Sequence, residues 1–211
     1  PIIKYCAQLS SGVTASIYAG GVYFYVDRNG YYYYVTDTTL ENNPAFTNLL
    51  NEDGSKFRGQ EACGELLKTS TFLVDLDGYF YTAVSSYDAN NKRVNTAKAF
   101  MINGTHFRGL DGAVTESVIF ETGYLHGYTS NSSYYYGYYL TDQGSLYMAR
   151  GSSGSTTYLN LEKLTPDGVR LTEIMWDRNE SYSYLSLFAF DSEGGLWSLG
   201  RNLFGELGHG V

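Results

Sequence analysis

The residues able to do chemistry are few and scattered. Three histidines, His106, His126 and His209, stand far apart, with no H-x-H, no H-E-x-x-H and no cysteine within ligand spacing. That spacing draws neither a zinc site nor a Cys/His dyad, so they read as surface or turn residues. The two cysteines, Cys6 and Cys63, either pair or stay as buried thiols, and a count of two leaves both readings open. Asp27-x-Asn29-Gly30 and Asp75-x-Asp77-Gly78 share the opening of a calcium loop but lack the downstream Glu of an EF-hand. Both sit where tight turns are required, so turn chemistry is the reading. No Gly-rich stretch ends in Lys-Ser/Thr to cradle a phosphate, and Gly151-Ser-Ser-Gly-Ser155 reads as a flexible loop. Glycoside hydrolysis needs two carboxylates facing across a cleft, and nothing in the spacing selects a pair. The sequence thus predicts no catalytic residue, no metal and no cofactor.

Aromatic residues are the other candidates. The 211 residues include 22 Tyr, 11 Phe and 2 Trp. In Tyr31 to Tyr34 alternate rings of a strand face opposite sides, so one pair is expected in the core and the other towards a neighbouring layer or solvent. The segment Tyr124 to Tyr139 reads differently, as an inserted loop that mixes Tyr with Ser, Asn and Gly. That composition presents rigid amphipathic rings at low entropy cost. Tyr124, His126, Tyr134, Tyr135 and Tyr136 are therefore candidate contact residues, with Tyr182 and Tyr184 as a second group. Three sequons, at Asn103, Asn131 and Asn179, are glycosylatable in a eukaryotic secretory setting; matches by chance are expected in a chain rich in Asn and Ser.

The elements that must position these residues come from an internal repeat. Val26-Asp-Arg-Asn-Gly30-Tyr-Tyr-Tyr33 matches Val74-Asp-Leu-Asp-Gly78-Tyr-Phe-Tyr81, and the segments around Gly144 and Gly194 follow the same plan. Each has an apolar residue four before the glycine and an aromatic three after it. A second mark runs in phase, a polar turn at Gly12, Gly54, Gly104 and Gly168. Strand, Gly turn, strand is the signature of a hairpin, because Asn-Gly and Asp-Gly supply the positive φ that twisted strands need between them. No segment has a convincing helical period, since Gly64 interrupts the one candidate, Glu61 to Lys68. We therefore expect an all-β chain, a single repeat domain of four units at about residues 1–45, 46–98, 99–160 and 161–211. Small sheets of this size bury their faces by stacking radially, which predicts a β-propeller of about four antiparallel blades.

The fourth unit, Leu187-Phe-Ala-Phe-Asp-Ser-Glu-Gly-Gly-Leu-Trp-Ser-Leu-Gly-Arg-Asn-Leu-Phe-Gly-Glu-Leu-Gly-His-Gly210, resembles the repeat of the regulator of chromosome condensation family. Ile17-Tyr-Ala-Gly-Gly21 is similar to a strand of the same family. Units one to three lack the Gly-x-Asn and Gly-x-Leu-Gly tail. The resemblance implies blades of a propeller that typically has seven, and, taken literally, guanine-nucleotide exchange on a small GTPase. With Pro1 in place of Met, a longer parent or an assembly supplying further blades is expected ahead of a closed ring of four.

Charge bounds the partners. Lys and Arg number 14 against 22 Asp and Glu, a net charge of −8, which disfavours nucleic acid and anionic membrane surfaces, both of which are held by clustered cations. No apolar stretch approaches the ~20 residues of a membrane span. The expected function is a non-enzymatic interaction or scaffold module, part of a larger surface, virion or structural protein, that presents loops to a protein or glycan partner. Localisation is not legible in the N-terminus, and a surface-exposed or extracellular setting fits better than a cytoplasmic one.

Overall fold

The structure, a computed structural model of the chain, describes residues 12–35, 46–66, 70–122, 134–152, 160–179, 184–200, 205, 207 and 208. The chain divides into two compact units, one of Pro1–Glu65 with Thr71–Gly109 and the other of Leu66–Ser70 with Leu110–Val211. All regular structure among the described residues is β, as expected. A four-stranded sheet runs in the order β1 (Val13–Ala19), β2 (Val22–Asp27), β3 (Tyr32–Val35), β4 (Phe46–Asn48). The next holds β5 (Leu50–Asn51), β6 (Gly64–Leu66), β7 (Ser70–Val74), β8 (Phe80–Tyr87) and β9 (Arg93–Ala99), in the order β5-β9-β8-β7-β6. Here β5 pairs parallel with β9, a departure from the expected antiparallel pattern. A short hairpin, β10 (Met101–Ile102) and β11 (Thr105–His106), leads to the sheet β12 (Val114–Thr122), β13 (Tyr134–Thr141), β14 (Leu146–Ser152), β15 (Asn160–Lys163). The last is three-stranded, β16 (Leu171–Asn179), β17 (Tyr184–Asp191), β18 (Leu196–Gly200). Each sheet is open.

One turn builds five of the hairpins and junctions. At Asp27, Asp75, Asp88, Thr141 and Asp191 the backbone N–H bonds the carbonyl four residues on, and the N–H three residues on returns to the first carbonyl, at 2.9–3.1 Å. The fourth residue is Gly30, Gly78, Asn91, Gly144 or Gly194, each at positive φ between 57° and 91°. This is the three-residue hairpin loop, whose left-handed position favours Gly or Asn. The aspartate side chain completes it. Asp27 Oδ1 accepts from the N–H groups of Asn29 and Tyr31, Asp75 Oδ1 from Asp77 and Tyr79, and Asp191 Oδ1 from Glu193 and Gly195, all at 2.7–3.0 Å. The other oxygen receives the aromatic six residues later: Tyr33 and Tyr81 donate their hydroxyls at 3.2 Å, and Trp197 its indole N–H at 2.8 Å. Burial first, and Asp75 second, push the Tyr81 hydroxyl up to about 12. The indole of Trp197 and the Gly195 N–H hold the Asp191 carboxyl below its usual range.

In the third unit Thr141 stands where the others have aspartate, and Asp111 supplies the carboxylate from thirty residues upstream. Its oxygens accept from the Thr141 hydroxyl at 2.8 Å and the Ser145 hydroxyl at 2.5 Å. Burial pushes Asp111 up, but these bonds and the Lys163 charge outweigh it, so its carboxyl lies below the ordinary value.

Two further devices repeat. Thr14, Thr115 and Thr172 each donate to a strand carbonyl at 3.2 Å, at the one place where the first strand of the sheet slips register opposite Asp27, Thr141 or Asp191. These are β-bulges, which bend an edge strand locally. Arg58 and Arg108 donate to the Asn29 and Asp77 carbonyls at 2.6–2.9 Å and lie over the Tyr31 and Tyr79 rings, at 5.0 and 5.2 Å. Arg170 reaches the Asp142 carbonyl at 3.0 Å.

Alternation fills the cores. In the first unit Phe24, Val26, Tyr32, Tyr34, Phe57 and Leu73 pack together. Tyr32 and Tyr34 are buried while Tyr31 and Tyr33 are half-buried, the split expected of that strand. In the second unit Val118, Tyr136, Tyr138, Leu140, Leu171 and Leu187 form the cluster. Burying one such side chain is worth about 1.5–3 kcal/mol.

Two predictions follow from the turns. Gly144 and Gly168 both have positive φ, but a Cβ on Gly144 would lie 2.3 Å from Arg170 Cγ and 2.9 Å from the Leu171 carbonyl, whereas Gly168 faces open space. In urea denaturation Gly168→Ala should cost about 1 kcal/mol, the left-handed penalty alone, and Gly144→Ala clearly more. Asp111→Asn should cost about 1 kcal/mol at pH 7, a charged hydrogen bond discounted for exposure. Because the folded carboxyl is depressed, its stabilisation is present above the unfolded value near ~4 and is lost as pH falls below it. The variant should therefore show a weaker loss of stability on acidification than the parent.

Candidate functional site

The structure distributes the sequence-predicted contact residues rather than gathering them. Tyr124, His126 and Tyr182 lie outside the described residues. Tyr134, Tyr135 and Tyr136 fall on β13, which lies between β12 and β14, so over residues 134–139 the expected loop gives way to a strand. Tyr136 is 3% exposed in the second core, where its alternate neighbours Tyr138 and Leu140 share the apolar face. Burial raises the Tyr138 hydroxyl well above its ordinary value. Tyr135 is half-buried, and Tyr134 and Tyr184 occupy strand positions opposite Thr122 and Asn179. His106 is a structural residue, its Nε2 held 2.8 Å from the Phe80 carbonyl and its ring against Tyr79 and Tyr81. Cys63 is exposed and free; Cys6 lies outside the described residues. The Asp-x-Asn-Gly and Asp-x-Asp-Gly segments have their Asp27 and Asp75 carboxylates engaged by their own turns.

Among the described residues two concave sites can be built. In the second unit an apolar hollow of about 160 Å³ is lined by Leu146, Leu164, Leu171, Leu187, Ala189 and Trp197, a continuation of that unit's core. The first unit holds a larger groove of about 420 Å³ with a mixed polar and apolar lining, within the size range of small-ligand sites. One wall is the turn that follows β5, with Asn51, Glu52 and Gly54; the other is the tip of the β8–β9 hairpin, with Asp88, Lys92 and Arg93. Tyr34, Asn48, Asn95 and Thr96 complete the lining.

The groove's geometry is set by hydrogen bonds. Asp88 Oδ1 caps its own turn through the Asn90 and Lys92 N–H groups, at 2.8 and 2.9 Å. Arg93 donates Nε and Nη2 to the Ser85 hydroxyl at 3.1 and 2.8 Å, and that hydroxyl donates to Asn95 Oδ1 at 2.6 Å. The buried Asn95 N–H bonds the Tyr34 hydroxyl across 61 residues of sequence. On the opposite wall Asn51 begins a turn with the familiar backbone bonds, Asn51 N–H to Ser55 and Gly54 N–H to Asn51. Its cap is displaced, however. Asp53 takes the Ser55 N–H at 2.9 Å and hydroxyl at 2.6 Å, which leaves the Asn51 side chain with one bond, Nδ2 to the Ser55 hydroxyl. Asn51 Oδ1 and Asn48 Nδ2 are buried atoms with no hydrogen-bond partner.

Sequence reasoning missed this site because it searched for titratable groups, whereas the groove is built from amides. One signal was present: Asn51-Glu-Asp-Gly54 has the turn spacing with Asn in place of the capping Asp. No family model matches the chain, and no curated protein matches it.

Tyr34→Phe tests the groove's scaffold. Removing the hydroxyl orphans the buried Asn95 N–H, so denaturant unfolding should show a loss of about 1–3 kcal/mol.

Proposed function

We propose that the chain is a non-catalytic interaction module, its four larger sheets serving as blades of a β-propeller of the regulator of chromosome condensation type within a larger surface or structural assembly, and that it binds a protein or glycan partner. Repetition of one hairpin, one bulge and one arginine buttress supports the blade reading, because units too thin to bury both faces are stabilised by stacking. The Gly205–Gly208 turn, whose Leu207 carbonyl accepts the Ser198 hydroxyl at 3.1 Å, ties the family-like tail of the last unit to its sheet.

The observation that carries the interaction reading is the groove of the first unit. It combines concavity, both signs of charge and two unsatisfied buried amide atoms on walls held by internal hydrogen bonds. Preorganised walls lower the entropic cost of binding. Retention of the chain on an array of soluble glycans and peptides tests the reading, followed by mass analysis of what is released. Retention with every ligand recovered intact is expected. Ligands recovered cleaved or modified would overturn the non-catalytic reading, and absence of retention on every member would overturn the interaction reading.

A further inference from the structure

Resting on that reading, we infer that the groove between the Asn51–Ser55 turn and the Asp88–Lys92 turn is a binding site for a neutral saccharide. The charges of its walls cancel: Glu52 and Asp88 against Lys92 and Arg93. Two of the four are already engaged, Asp88 in capping its turn and Arg93 in holding Ser85. The four lining charges thus favour neither an anion nor a cation, and a neutral ligand is not penalised by desolvating unpaired charge.

What the groove offers is neutral hydrogen bonding of both polarities. Asn48 Nδ2 is a donor and Asn51 Oδ1 an acceptor, and neither makes a hydrogen bond of full geometry, the Asn48 amide lying beside the Tyr33 hydroxyl. Thr96 adds a hydroxyl to the lining. A sugar hydroxyl both donates and accepts, so adjacent hydroxyls of one ring match adjacent amide donors and acceptors. Asn48 and Asn51 both line the groove, and the terminal torsion of Asn is soft, so rotation of the amide can turn either atom towards a ligand. A buried polar atom without a partner is a standing cost, and a ligand that pairs with it recovers that cost on binding. The volume of about 420 Å³ accommodates a mono- or disaccharide.

The other described turns show why this one is available. At Asp27, Asp75, Asp88 and Asp191 the corresponding side-chain oxygen is consumed by two backbone N–H groups. At Asn51 the neighbouring Asp53 takes over that task and frees the amide oxygen.

The experiment is an ¹⁵N-detected titration of the full chain with glucose, galactose, mannose and N-acetylglucosamine, beside sialic acid and glycine as anionic and zwitterionic probes. Saturable shifts of the Asn48 and Asn51 side-chain amides with at least one neutral sugar are expected at millimolar concentration. Asn48→Leu should weaken that binding at least tenfold without lowering the melting temperature, because it removes an unpaired polar atom and leaves an apolar side chain of similar size. Thr96→Val, nearly isosteric, provides a second variant with an expected loss of about threefold or more should Asn48→Leu fail to fold. Shifts with sialic acid or glycine alone, or unchanged sugar affinity in the folded variants, would overturn the saccharide site. Peptide retention on the array in the absence of any sugar binding would overturn this inference while leaving the interaction reading intact.

Discussion

A carboxylate that closes a three-residue turn is the interaction on which the rest of the structure depends. One oxygen takes two backbone N–H groups that the turn would otherwise leave to water, and the other takes an aromatic donor from the returning strand. The first oxygen fixes the turn, and the second fixes which face of the next strand carries its large ring. Because side chains alternate, fixing one ring fixes the rest: with Tyr33 tied to Asp27, Tyr32 and Tyr34 must point into the core. A local hydrogen bond thus sets the register of a whole sheet.

The hairpins were legible because their signal is local. Gly30, Gly78, Gly144 and Gly194 all adopt the positive φ expected of them, as do Gly12, Gly54, Gly104 and Gly168 in the second mark. Alternation in Tyr31 to Tyr34 was legible for the same reason. What escaped was nonlocal. Asp111 serves a turn thirty residues away, and no spacing rule around Thr141 points to it. The parallel pairing of β5 with β9 joins residues some 46 apart. For Tyr134 to Tyr139, composition suggested a loop because Tyr, Ser and Gly are common to loops and to strands. The deciding fact was tertiary: Val118, Leu146 and Ile174 offer that strand an apolar face to cover.

The candidate site was illegible for a related reason. An aspartate or histidine announces itself by type, whereas an asparagine becomes notable only when its hydrogen bonds are counted in three dimensions. Asn51 and Asn48 pass as ordinary turn and strand residues until the structure shows one buried oxygen and one buried nitrogen without partners.

The groove lies where the repetition breaks. Elsewhere Asp27, Asp75 and Asp191 are absorbed by their turns and Arg58, Arg108 and Arg170 by turn carbonyls, so these shared parts of the repeat are occupied in making the fold. The second sheet departs in three ways: it gains a parallel strand, it adds a capped turn at Asp88, and the turn at Asn51 hands its cap to Asp53. All three departures border the same groove. At Thr141 the missing carboxylate is supplied by Asp111, whereas at Asn51 the amide oxygen is left without a partner, and stability alone does not account for that exception. The ligand proposed for this groove would supply the partner that these amides lack.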